Sequence, residues 1–245
     1  MRSYTDKYFW NSYYKNYQLK EVGRVYFADL FDIFLKPDPA KTVFEVGCAG
    51  GSALCYLAKY FKFKAYGIDY SDEIEKTRAL FKYNDLPSPI LYQEDFFSWR
   101  SQEQYDVVCS FGFIEHFNDP RDIIARHVAL LKPDGVLMIT MPHFAHLQYI
   151  LHWLIDRENL KKHNTKIMNI KAMQKALQGL PLEIKYLNYY RTFGFWTERK
   201  NLTWWERIIN WKIQFFGRVI NKLLGPHHPN PLFSPHLVLI ARRQI

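Results

Sequence analysis

The chain has 245 residues, of which 48% are hydrophobic and 18% aromatic; that is enough to bury one substantial core and excludes a disordered or fibrous protein. Lys and Arg number 33 against 24 Asp and Glu, and the formal charge of +9 points to an anionic partner, nucleic acid or membrane, without choosing between them. Cys48, Cys55 and Cys109 lack metal-ligand spacing and read as buried thiols of a cytoplasmic protein, while the sequence offers neither a signal peptide at MRSYTDKYFW nor an apolar run long enough to span a bilayer.

In chain order, the stretch 4–17 sets aromatic residues among polar ones, and Trp10, Tyr13 and Tyr14 are candidates either to close over a ligand or to cap a sheet edge. A helix is expected over 21–35, then the turn-rich linker KPDPAK at 36–41. TVFEV from Thr42 reads as a buried strand, and it runs into the glycines Gly47, Gly50 and Gly51 before the helical SALCYLAKYF. A second strand at 65–68 is closed by Asp69, placed to accept the hydroxyl protons of a ribose. The order strand, glycine turn, helix, strand, acid is half of a nucleotide-binding unit. A dinucleotide fingerprint fits poorly, because Ala49 and Ser52 stand where it wants glycine. Tyr70 follows Asp69, a helix begins at Ser71, and a third strand at 90–93 ends in EDFFSW. The fourth strand, 105–110, runs into FGFIEHFNDP; Asp119 and Pro120 start the next helix, LLKPDG ends it, and VLMITMP is the fifth strand.

Over 42–142 these residues resemble the class I S-adenosyl-L-methionine-dependent methyltransferases. Their first motif, acid-x-G-x-G-x-G, is matched by Glu45, Gly47, Ala49 and Gly51, with alanine in place of the middle glycine. The resemblance implies that Glu45, Gly47, Cys48, Ala49 and Gly51 surround the methionine end of the cofactor, that Asp69 and Tyr70 hold the ribose and adenine, and that Asp95 with Phe96 holds the adenine ring. Ser110 and Phe111, with the loop to His116, would form the floor near the methyl group. Methyl transfer is an in-line displacement, so the protein chiefly aligns the acceptor and excludes water, and a base helps where the acceptor is a hydroxyl. His116 and His143, in the loops after the fourth and fifth strands, are the candidate bases. The scatter of His146, His152 and His163 is not read as a metal site, and no metal is expected.

Beyond His143 the sequence leaves the common pattern. A helix and loop over 144–164, a helix over 169–180 and a strand over 182–188 precede an insertion at 203–225, and HLVLIARR is the last strand. On a helical wheel the insertion sets Trp204, Trp205, Ile208, Ile209, Phe215, Phe216, Val219, Ile220 and Leu223 on one face and Glu206, Arg207, Asn210, Gln214, Arg218 and Asn221 on the other. Such a helix suits a membrane interface, a dimer contact or a roof over the domain.

The expectation is therefore one α/β domain over 1–245, a doubly wound, Rossmann-like mixed sheet. It would carry an aromatic N-terminal cap (1–41), a cofactor core (42–142) and acceptor-side helices with the helical insertion before the last strand (143–245). Its function would be methyl transfer to a small molecule, with a saccharide hydroxyl or lipid-linked glycan preferred as acceptor, in the cytoplasm or at the inner face of the membrane. A nucleic-acid methyltransferase, a nicotinamide dehydrogenase and a non-catalytic binding module are the rival readings. Against the first, SFGF stands where a base-amine motif would be.

Overall fold

The computed structural model describes residues 3–244. Its elements in chain order are α1 (Lys7–Tyr14), α2 (Ala28–Phe34), β1 (Thr42–Val46), α3 (Ser52–Phe61), β2 (Lys64–Ile68), α4 (Glu75–Tyr83), β3 (Ile90–Tyr92), β4 (Tyr105–Phe111) and α5 (Pro120–Ala129). They continue as β5 (Leu131–Pro142), α6 (His146–Ile155), α7 (Arg157–Lys161), α8 (Ile170–Leu177), β6 (Leu182–Tyr190), α9 (Trp204–Leu224) and β7 (His236–Arg243). The hydrogen-bonded strand order is β3-β2-β1-β4-β5-β7-β6, with β1 parallel to β2 and β4, and β2 parallel to β3. This is the doubly wound α/β sheet expected from the sequence, and its last strand inserts between β5 and β6.

The chain gathers into two compact units, and β5 and β7 contribute residues to both. The first comprises Thr5–Phe111, Arg126–Met138 and the chain from Arg242; the second comprises Ser3 and Tyr4, Gly112–Ala125 and Ile139–Ala241. In the first unit, β1 is buried from Val43 to Val46, as parallel strands covered on both faces must be. Phe44 packs its ring against Tyr105 (4.7 Å between centroids) and Trp99 (5.2 Å), and Leu54, Leu57, Leu80 and Phe81 close the helical layer. In the second unit Ile155, Phe193, Phe195 and Ile213 form a buried cluster joined by Leu147, Leu151, Ile209 and Ile220.

Three local expectations are corrected. The helix expected over 21–35 begins only at Ala28, because the backbone before it is spent elsewhere: Val22 N donates to Asn84 Oδ1 (2.8 Å) and Val22 O accepts from Lys59 Nζ (3.2 Å). The KPDG bend lies within the bounds of β5, where Asp134 adopts φ 61° and a Cβ on Gly135 would fall 2.8 Å from Lys132 O. The insertion is the helix expected, opened by a capping box in which Thr203 and Glu206 serve each other's backbone N–H. Its orientation is the surprise. Ile213 and Gly217 are buried, Ile209 and Ile220 pack beside them, and Gln214 and Asn221, assigned to the polar face, bond to the carbonyls of Phe195 and Phe193.

Candidate active site

Within the first unit, β1 and β2 run parallel with Glu45 opposite Gly67, so both release their chains at the carboxyl edge where ligands of parallel sheets bind. The bend after β1 is tightly built. Gly51 has φ 57°, and a Cβ there would meet Thr77 Cγ2 at 2.3 Å, so α4 can approach only a glycine. Thr77 Oγ1 donates to Cys48 O (2.7 Å), while Gly47 N and Cys48 N both donate to Ile68 O (2.9 and 3.2 Å).

Asp69 joins this bend to the end of β2. Its buried carboxylate accepts Ala49 N on Oδ2 (3.0 Å) and Ser71 N on Oδ1 (2.8 Å), leaving a further lone pair on each oxygen for a ligand hydroxyl. Burial raises its pKa, and the two amides oppose the rise. Glu45 is buried beside it and accepts a bond from the backbone of Leu54 at the start of α3; its Oε2 has no partner. Burial, with the Asp69 charge adding to it, pushes the Glu45 carboxyl up to about 8. Two buried carboxyl groups and no lysine in the bend suit a cationic ligand and disfavour a pyrophosphate.

The aromatic N-terminal segment lies over this bend. Tyr14 ring carbons stand 3.0 and 3.3 Å from where a Gly50 Cβ would be, and burial, then the nearby Asp69, raises the phenol pKa. Trp10 and Tyr13 pack their rings on Tyr14, at 6.0 and 5.1 Å. Tyr17 Oη meets Ser52 Oγ at 2.6 Å, Asn11 Oδ1 accepts from Ser71 Oγ (3.0 Å) and Asp72 N (2.9 Å), and Lys76 Nζ donates to the carbonyls of Tyr14 (2.6 Å) and Lys15. Sequence reasoning named the three aromatics but missed Asn11, Tyr17 and Lys76. Nothing local marks them, since Asn11 and Lys76 find partners 60 to 62 residues away.

The remaining expected contacts divide. Gly47 N and Ala49 N bond to the end of β2, at Ile68 O and Asp69 Oδ2, and half-buried Tyr70 follows Asp69, its phenol pKa raised by burial and then by Asp69. Cys48 is corrected to a backbone role: a Cβ on Gly67 would lie 2.6 Å from its Sγ, so the thiol faces β2 in the interior. Phe111 is corrected too, because its ring packs on α2 against Phe31 (5.7 Å) and beside Phe27 (6.1 Å). Its neighbour Ser110, on the opposite face of β4 by strand alternation, is buried with Oγ unpartnered. Asp95 is exposed and caps a turn through Oδ1 to Phe97 N (2.9 Å), while Phe96 is buried with its ring 5.2 Å from His127.

The candidate bases His116 and His143 lie in the second unit. His116 is buried, with Nδ1 2.8 Å from Lys162 O, and burial, then His163, holds its pKa down at about 3, which makes it a poor base at neutral pH. His143 is also buried; its Nδ1 lies 2.9 Å from Ser234 O, which fixes the proton there, and Nε2 is left unpartnered in the tautomer a base requires. Burial lowers its pKa as well. Glu115, His116 and His163 bring ligand atoms within 4.8 Å of one another. The Glu115 carboxyl is buried, with Oε2 unpartnered, and burial pushes it up to about 8.

Residues 18–187 match the family described as "Methyltransferase domain". Over 108 residues the chain is 36% identical to a ubiquinone biosynthesis O-methyltransferase of Actinobacillus pleuropneumoniae, covering 41% of this chain and 45% of that one. It spans about half the length of the curated relatives it matches. Among solved structures it resembles a Bacillus halodurans chain assigned as a methyltransferase (TM-score 0.64, 18% identity, 90% of this chain and 99% of that one). It also resembles the magnesium protoporphyrin IX methyltransferase of Synechocystis PCC 6803 (TM-score 0.55, 14% identity, 98% of each chain). With the family matched over most of its length and the sheet, glycine bend and ribose-type acid in place, the chain belongs to the class I S-adenosyl-L-methionine-dependent methyltransferases.

Proposed function

We propose that this chain transfers a methyl group from S-adenosyl-L-methionine to a hydroxyl of a small molecule, and that the acceptor is a saccharide carried on a lipid. The observation that carries the reading is the pairing of two buried carboxyl groups at a glycine bend, one of them Glu45 with an unpartnered oxygen. The donor fits these residues. Its cationic sulfonium end and ammonium group supply the charge and N–H that Glu45 lacks, and its ribose supplies hydroxyls for Asp69. When bound, the donor supplies an electrophilic methyl group for in-line displacement.

The chain's own contribution is to hold, orient and dry the reactants. Asp69 and the bend are locked by hydrogen bonds before the donor arrives, and Tyr14 shields the bend. His143, with Nδ1 held at Ser234 O and Nε2 unpartnered, is the chain's candidate to accept a hydroxyl proton. O-methylation is favoured by relatives named as O-methyltransferases. A polyhydroxylated acceptor is favoured by buried polar atoms of the second unit without protein partners, among them His143 Nε2, both ring nitrogens of His152 and Gln148 Oε1.

The test is incubation of the protein with methyl-tritiated donor and separate panels of saccharides, lipid-linked saccharides, phenols and RNA. Label on a saccharide hydroxyl is the expected result. Label confined to phenols would overturn the acceptor, label in RNA would establish the nucleic-acid reading, and donor binding without transfer to any fraction would leave a binding module.

A further inference from the structure

An amphipathic helix on a globular protein ordinarily turns its apolar stripe inward. The helix α9 turns in only part of its apolar surface. The stripe it buries is narrow, Ile209, Ile213, Gly217 and Ile220, and it can seat so closely because Gly217 has no side chain: a Cβ there would strike Phe193 Cδ1 at 2.3 Å. Polar bonds from Gln214 Nε2 to Phe195 O (2.9 Å) and from Asn221 Nδ2 to Phe193 O (3.1 Å) fix the same side, and Asn221 Oδ1 accepts Phe193 N (3.0 Å). The outward arc is left to large apolar side chains. Trp204, Trp205 and Trp211 are 59%, 60% and 59% exposed, Leu223 is 77% exposed, and Ile208, Phe215, Phe216 and Val219 stand out with them. On α6, packed against the same cluster, Tyr149, Ile150, Trp153 and Leu154 are exposed as well, with the Arg157 guanidinium 3.9 Å over the Trp153 ring.

The charge on this arc selects the occupant. Arg207, Lys212, Arg218 and Lys222 are all exposed, and none forms an ion pair among the described residues. The only acid of α9, Glu206, is engaged by its cap partner Thr203 and by Arg199. A second copy docked through this face would set four cations against four cations, an unfavourable isologous contact. No described helix is long and apolar enough to cross a membrane. Tryptophans and long basic side chains on one exposed arc are the chemistry of a helix lying in the interface of an anionic bilayer, rings among the headgroups and cations near phosphates. We infer that the outward face of α9, with that of α6, docks the protein on the surface of an anionic lipid membrane.

This inference goes beyond the methyl-transfer reading, and its test reads lipid binding alone. The full chain is sedimented with vesicles of phosphatidylglycerol and phosphatidylcholine, or of phosphatidylcholine only, at low and high salt, with tryptophan emission recorded in parallel. Binding to the anionic vesicles, a blue shift of emission and loss of binding at high salt are expected. Trp205→Ala with Trp211→Ala should weaken binding about tenfold or more, and Lys212→Glu with Arg218→Glu should do the same, since each basic residue at such a surface contributes roughly a fivefold factor. All four residues are exposed, and thermal unfolding and donor binding of the variants confirm that the fold is kept. Absence of binding to anionic vesicles would overturn the inference. So would binding that both double variants retain, or a dimer in sedimentation equilibrium that the tryptophan substitutions dissolve while vesicles leave the protein in solution.

Discussion

Glu45 is the residue whose state should change with the ligand. In the free protein burial holds its carboxyl protonated up to about pH 8, whereas a cationic donor beside it favours the ionised form. Donor binding at pH 7 is therefore expected to release a proton, read as a dependence of the calorimetric enthalpy on the ionisation enthalpy of the buffer. Glu45→Gln should abolish that dependence, and an unchanged dependence would move the titrating group elsewhere. His143→Ala should lower turnover about a hundredfold, the usual contribution of a general base, with donor affinity unaltered; loss of donor affinity instead would make it a structural residue. Glu45 and Asp69 were legible in the sequence because their spacing from the glycines is local. The seating of Tyr14 on Gly50, the turning of Cys48 towards Gly67 and the meeting of His116 with His163 were not, because each is decided by side chains far apart in the chain.

At the scale of elements, α9 separates what periodicity reveals from what it hides. A wheel identifies an amphipathic helix, but which arc faces the protein depends on what is available to receive it. Here the receiving surface is a strip of carbonyls and rings at Phe193 to Phe195, which takes Gly217, isoleucines and amide side chains rather than tryptophans. Gly217→Ala is the sharpest test of that packing. The added methyl would displace the Phe193 ring, at a cost of about 1–3 kcal/mol by the usual penalty for overpacking, measured by chemical denaturation. A loss below about 0.5 kcal/mol would mean the helix does not sit so close. Most strands of the sheet were legible to within one or two residues, since buried apolar runs between turn signals leave few alternatives, but β5 starts five residues before the apolar run that marked it. The early helix was overestimated because Val22 bonds to Asn84 and Lys59, which no local pattern reports.

For the whole molecule, buried titratable groups set the response to pH. Burial lowers His116 and His236 to about 3 and His152 and His163 to about 4, so their stabilising contribution is complete above the unfolded value near 6.5 and is lost as pH falls through those folded values. Glu45 and Glu115 behave oppositely. Raised to about 8, they contribute fully below the unfolded value near 4.5, and that contribution is lost as pH rises through 8. Four histidines outweigh two carboxyls in acid and the carboxyls prevail in base, so Tm is expected to peak at about pH 6.5 and to fall on both sides. A scanning-fluorimetry profile that is flat, or still rising at pH 8, would contradict these protonation states. The central claim is that the glycine bend and Asp69 together hold the adenosyl methyl donor, and calorimetric titration with S-adenosyl-L-methionine tests it most directly. The wild-type chain should bind one equivalent and Asp69→Asn should bind about tenfold or more weakly, the loss expected of hydrogen bonds to a charged group; no binding by the wild type, or equal affinity in the variant, would contradict the account.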